Sequence, residues 1–185
     1  NPRLGLIRSA KAITETKLIL LSYGQKLALV DLEKRETVII FEDEKYNIGI
    51  DFDVSPDHNW LVYSRPSSEE VADLYVYNFE SAKHEILLAN GGSHFAPVFS
   101  GDGKYIYFLN YAYGKGEYSK MSFEMSFPIK SEIWALSLLR NTAPPFKPWL
   151  HKKKLEGDKP EKPLVEIQFD DIKVERLDIS ADKYC

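Results

Sequence analysis

Short apolar runs, each closed by a polar turn, recur along most of this chain. Lys17-Leu-Ile-Leu-Leu-Ser22, Trp60-Leu-Val-Tyr-Ser64 and Tyr105-Ile-Tyr-Phe-Leu109 are strand-length and rich in β-branched and aromatic residues. The second and third follow closely related turns. Ser55-Pro-Asp-His58 returns as Ser100-Gly-Asp-Gly103, 45 positions further on. Pro at the second turn position and Gly at the fourth suit a type I turn. A second set of runs keeps the same phase. Gln25-Lys-Leu-Ala-Leu-Val-Asp-Leu-Glu33 matches Ala72-Asp-Leu-Tyr-Val-Tyr-Asn-Phe-Glu80, and Glu36-Thr-Val-Ile-Ile40 matches Lys83-His-Glu-Ile-Leu87, both 47 positions apart. In the last copy the corresponding run is Glu132-Ile-Trp-Ala-Leu-Ser137.

A repeat of roughly 40–50 residues built from short strands predicts β-propeller blades. The expected fold is all-β, with about three blades in residues 1–140. A closed propeller needs roughly four to eight blades, so this is an incomplete one. The chain opens on Asn1 rather than Met and stops at Cys185, and it reads as a piece of something longer.

Two stretches break the repeat. Tyr111–Ser131 replaces the short loop Arg65–Val71 of the middle copy. Within it Met121, Phe123, Met125 and Phe127 alternate with Ser122, Glu124 and Ser126, which predicts a strand with one apolar face. With Tyr113 and Tyr118, these four form the candidate peptide-path or interface set, since aromatic and Met-rich loops make adaptable contact surfaces. Covering a neighbouring blade or subunit is the competing role. Residues 141–163 carry Pro144, Pro145, Pro148, Pro160 and Pro163 with His151-Lys-Lys-Lys154, a linker composition. Residues 164–185 hold a terminal strand segment, with Val165–Phe169 alternating as a strand, that leads to a following domain and is not a fourth copy of the blade.

Composition narrows the function classes. The chain is 44% hydrophobic and 13% aromatic, with a net charge of −4, so nothing favours nucleic acid or an anionic membrane as a partner. The longest apolar run, Leu18–Leu21, is a strand's worth, far short of the ~20 residues of a membrane span. The single Cys at the end of the chain argues against a disulfide framework. His58, His84, His94 and His151 show no metal-ligand spacing, and no Gly-x-Ser-x-Gly elbow occurs. Asp51-x-Asp-x-Ser-x-Asp57 imitates a calcium loop but has Pro56 in place of the required Gly and Val62 in place of the Glu. Turn capping is its expected role. Gly91-Gly-Ser93 reads as a connection between blades. No catalytic, cofactor-binding or metal residue is expected within the chain, and no cofactor.

The turn-plus-strand repeats resemble the blades shared by TolB, the prolyl oligopeptidase group and the tricorn-type proteases. The succession Phe123-Glu-Met-Ser-Phe-Pro128, Glu132–Leu138, Pro144-Pro-Phe146 and Val165-Glu-Ile-Gln-Phe-Asp-Asp-Ile172 with Arg176 is similar to the end of a tricorn propeller. There a segment of the type Ile-Asp-Phe-Asp-x-Ile…Arg follows the linker; here Gln168 stands at its first Asp. The resemblance implies a non-catalytic propeller segment of a cytoplasmic, homo-oligomeric serine peptidase. Such a segment filters or channels oligopeptides to an active site outside this chain. Its partners are then oligopeptide substrates and the remaining blades and catalytic domains of the same polypeptide. Two alternatives fit the same repeats: a TolB-like propeller binding module, and the gating propeller of an oligopeptidase.

An incomplete propeller leaves the faces of its end blades bare. Leu18, Leu20, Ile106, Phe108 and Trp134 are expected on those faces, and the chain is expected to self-associate unless Leu164–Leu177 folds back over the open edge.

Overall fold

A computed structural model describes residues 4–46, 49–89, 92–113, 117–118, 125–126, 129–140, 142, 145 and 163–177; within 112–130 only the backbone is described. It contains three four-stranded antiparallel sheets. The first is a meander of β1 (Ile7–Ala12), β2 (Lys17–Ser22), β3 (Lys26–Asp31) and β4 (Glu36–Glu42). The second is β5 (Phe52–Val54), β6 (Trp60–Pro66), β7 (Ala72–Asn78) and β8 (Lys83–Leu88). The third starts with β9 (Ser93–Phe99) and β10 (Tyr105–Tyr113). After a two-stranded ribbon of β11 (Glu117–Tyr118) and β12 (Met125–Ser126) it continues with β13 (Ile129–Ser137). Its outermost strand is β14 (Lys173–Arg176), antiparallel to β13. These are consecutive blades of an incomplete β-propeller.

The repeated turns are matched bond for bond. His58 N–H donates to Ser55 O, and Gly103 N–H to Ser100 O. Ser55 Oγ donates to Asp57 and accepts from Trp60 N–H; Ser100 Oγ donates to Asp102 and accepts from Tyr105 N–H. The fourth turn position is left-handed in both, with φ of 64° at His58 and 68° at Gly103. Glycine reaches that region freely, whereas histidine tolerates it at a cost.

Strand alternation sends each blade's side chains to two neighbours. Leu61, Tyr63 and Tyr77 of the middle blade join Ile19, Leu21 and Leu27 of the first. Val62, Leu74 and Val76 join Ile106, Phe108 and Leu136 of the third. This corrects one expectation. Ile106 and Phe108 are 0% and 2% exposed, and Trp134 packs against the same core. They occupy the places that Leu61 and Tyr63 hold one blade earlier, facing the preceding blade rather than the open side. Leu18 and Leu20 are on the other face, in register with Val30 and Ala28 and turned from the middle blade.

The tail also differs from its expected form. Val165–Gln168 is extended without a strand ladder, and a single 3-10 turn follows at Phe169–Asp171. Pairing fails there because side chains capture the backbone. Val165 N–H donates to Asp57 Oδ2, and Trp60 Nε1–H donates to Val165 O. Val165, Ile167, Ile172 and Val174 pack into the core between the second and third blades.

Candidate functional site

The innermost strands β1, β5 and β9 bring charge to the axial side of the blades. Asp53 on β5 is nearly buried and accepts from Phe99 N–H of β9 at 2.8 Å. It also pairs with Lys11 Nζ of β1. Asp51 accepts from Ala96 N–H through Oδ2 at 3.1 Å, and its Oδ1 lies 3.9 Å from Arg8 Nη2. Asp53 therefore ties the middle blade to both neighbours, and Asp51 ties it to the third blade. Ala96 has φ 48°, a conformation that costs a non-glycine residue of order 1–2 kcal/mol, and the Asp51 acceptor holds it there. Of the three carboxylates in the Asp51–Asp57 motif, Asp57 fills the expected turn-capping role. It accepts from Ser55 Oγ, Asn59 N–H and Asn59 Nδ2.

Arg8, Ser9, Leu21, Ile50, Asp51, Phe52 and the β9 segment Ala96–Val98 enclose an axial cleft of about 400 Å³. The Arg8 guanidinium lies on Gly49, whose backbone it approaches so closely that an added Cβ would sit 3.2 Å from Nη1.

A second polar cluster lies between the first two blades. The Arg65 guanidinium is sandwiched between Phe41 and Tyr75, 5.0 and 4.9 Å from the ring centroids. Tyr63 is fully buried, and its hydroxyl is 2.9 Å from His84 Nδ1. Burial pushes the Tyr63 hydroxyl well above the usual tyrosine range. Burial and then the Arg65 charge lower the His84 pKa. Through Phe41 the cluster joins the first blade to Arg65, Tyr75 and Tyr63 of the second.

The candidate peptide-path residues fall on the insertion of the third blade. Strands β10 and β13 stay paired as far as Tyr113↔Ile129, and the ribbon adds Tyr118↔Met125. Tyr113 ends β10, and Tyr118 and Met125 lie on the two strands of the ribbon. Met121, Phe123 and Phe127 lie outside the described residues. The insertion leaves the blade at the end where β6 and β7 are joined by Ser67–Val71. Sequence reasoning missed the axial group, because Asp51 and Asp53 share a motif with a turn-capping Asp57 and their partners are far away in the chain.

Among the described residues no group of three or more His, Cys, Asp or Glu could hold a metal ion, and no helix is long and apolar enough to cross a membrane.

No protein-family model matches the chain. It is 30% identical over 147 residues to a putative Tricorn-like protease C-terminal subunit of Sulfurisphaera tokodaii, which covers 79% of this chain and 17% of that protein. It is 25% identical over 152 residues to Tricorn protease homolog 1 of Streptomyces coelicolor, covering 82% of this chain and 14% of that protein. The chain thus spans about a sixth of the length of these curated relatives. The crystal structure of the tricorn protease superposes with a TM-score of 0.70 at 18% identity, over 95% of this chain and 17% of that one. At that identity the superposition speaks for the fold.

Proposed function

Because the chain is a propeller segment of tricorn type, we propose that it forms part of the wall guiding oligopeptides to the active site of a serine peptidase. The catalytic residues belong to other parts of the polypeptide. The sequence fits this division, since it carries no Gly-x-Ser-x-Gly elbow. The long third-blade insertion is the observation that carries the guiding role. The β10–β13 ladder runs beyond the length of β6–β7, a two-stranded ribbon follows, and the sequence of the insertion is rich in Tyr, Met and Phe. Strand addition and aromatic contact are the means by which such an insertion would hold an extended peptide.

Tyr113, Tyr118, Met121, Phe123, Met125 and Phe127 are the proposed contact residues. The remaining blades cover the outer faces of the first and third blades, and the assembled enzyme is a cytoplasmic homo-oligomer. Photo-crosslinking with a labelled, unstructured oligopeptide tests the reading. Label is expected on residues 111–131 and is expected to fall when Tyr113 and Tyr118 are replaced by Ser. Labelling spread evenly over the blades, or unchanged in that variant, would overturn it.

A further inference from the structure

The axial cleft has the parts of a zwitterion site, and we infer that it binds a free α-amino acid with an apolar side chain, carboxylate on Arg8 and ammonium on Asp51. This inference rests on the cleft itself and stands independently of the peptide-path reading.

The two charges face each other without closing. Arg8 Nη2 and Asp51 Oδ1 are 3.9 Å apart, beyond hydrogen-bond distance, with side chains 39% and 38% exposed. Asp51 is held in place on two sides. Its N–H donates to Ser64 Oγ at 2.8 Å, and its Oδ2 is engaged by Ala96 N–H. Oδ1 is the oxygen left toward Arg8. The guanidinium lies beside Gly49, where an added Cβ would be 3.2 Å from Nη1, and its fork geometry suits a carboxylate.

The spacing selects the ligand. Covalent geometry places the ammonium nitrogen and the carboxylate carbon of an α-amino acid about 2.5 Å apart. Laid antiparallel across the Arg8–Asp51 pair, each charge of such a ligand meets its opposite. In a dipeptide the two charges move apart by a further residue, ~3.8 Å between successive Cα atoms, and they no longer match. The walls supply the apolar part through Phe52 and Pro97. The cleft, at about 400 Å³, is of ligand-site size.

Titration calorimetry of the purified protein with L-leucine tests the inference, with N-acetyl-leucine, leucinamide and the Leu-Leu dipeptide alongside. Saturable leucine binding is expected, with about tenfold or greater weakening for each capped form and for the dipeptide. Arg8→Gln and Asp51→Asn are each expected to weaken leucine binding about tenfold or more at an unchanged melting temperature. The Asn retains an oxygen for Ala96 N–H, and Arg8→Gln serves alone if the other variant fails to fold. Absence of saturable binding would overturn the inference. So would equal binding of the capped forms, or unchanged leucine affinity in a folded Arg8→Gln protein.

Discussion

The backbone amide of Val165 is held by the carboxylate of Asp57, 108 positions earlier in the chain, at 2.9 Å. The Val165 side chain is 3% exposed and lies over the turn of the next blade, where a Cβ on Gly103 would be 2.8 Å from Val165 Cγ2. The tail thus sits between the equivalent turns of two consecutive blades, bonded to Asp57 of one and packed on Gly103 of the other.

Gly103→Ala should destabilise the protein by about 1–2 kcal/mol from its left-handed backbone alone, and further through the clash with Val165. Gly101→Ala, two residues away in the same turn, meets nothing within 4 Å and should leave the melting temperature nearly unchanged. Thermal unfolding of the pair checks this. Equal effects would mean that the tail does not lie over the turn.

Asp53→Ala should cost about 1–3 kcal/mol, because it leaves the buried Phe99 N–H without an acceptor. Asp53→Asn keeps an oxygen for that donor and loses only the charge opposite Lys11, so its cost should be smaller. Denaturant titration of the two variants separates the inter-blade hydrogen bond from the ion pair.

Much of this architecture was legible in the chain because propeller blades repeat local patterns. The turn at Ser55–His58 and its copy at Ser100–Gly103 form the same hydrogen bonds, and β2, β3 and β4 fall where their matches predict. What joins one blade to the next was less legible. Asp51 and Asp53 bond to Ala96 and Phe99, 45 and 46 positions away, and no local spacing encodes such a pairing. The alternation in Val165–Phe169 predicts a strand, but alternation reports only which side chains are buried. Here the carbonyl and amide of Val165 are satisfied by Trp60 and Asp57 side chains instead of a ladder. The open-face assignment of Ile106 and Phe108 had the correct period and the wrong side, because one strand's pattern does not say which neighbour is present.

His84 gives stability a pH dependence of known sign. Its folded pKa is lowered from 6.5, so charging it costs more in the folded than in the unfolded protein. The stability contributed by neutral His84 is complete above pH 6.5 and declines as pH falls from there toward the folded pKa, below which this contribution levels off. His84→Gln should flatten that part of the profile. An unchanged slope in this variant between pH 7 and pH 5 would show that other groups dominate.

The outer face of the third blade is the last point to test. Tyr107, Leu109, Ile133 and Val98 share that face by strand register. Ile133 and Val98 are 39% and 51% exposed, whereas Ile106 and Phe108 on the opposite face are buried against the middle blade. The tail β14 covers the edge of β13 but does not turn this face inward. An apolar sheet face of this kind drives association when its natural cover is missing. The purified chain should therefore sediment as a mixture that shifts to larger species with concentration. The double variant Val98→Lys, Ile133→Lys should shift it toward monomer without lowering the melting temperature, since neither residue belongs to the inter-blade core. A compact monomer for the unaltered chain at all concentrations would refute this, as would a double variant that melts earlier and associates as before.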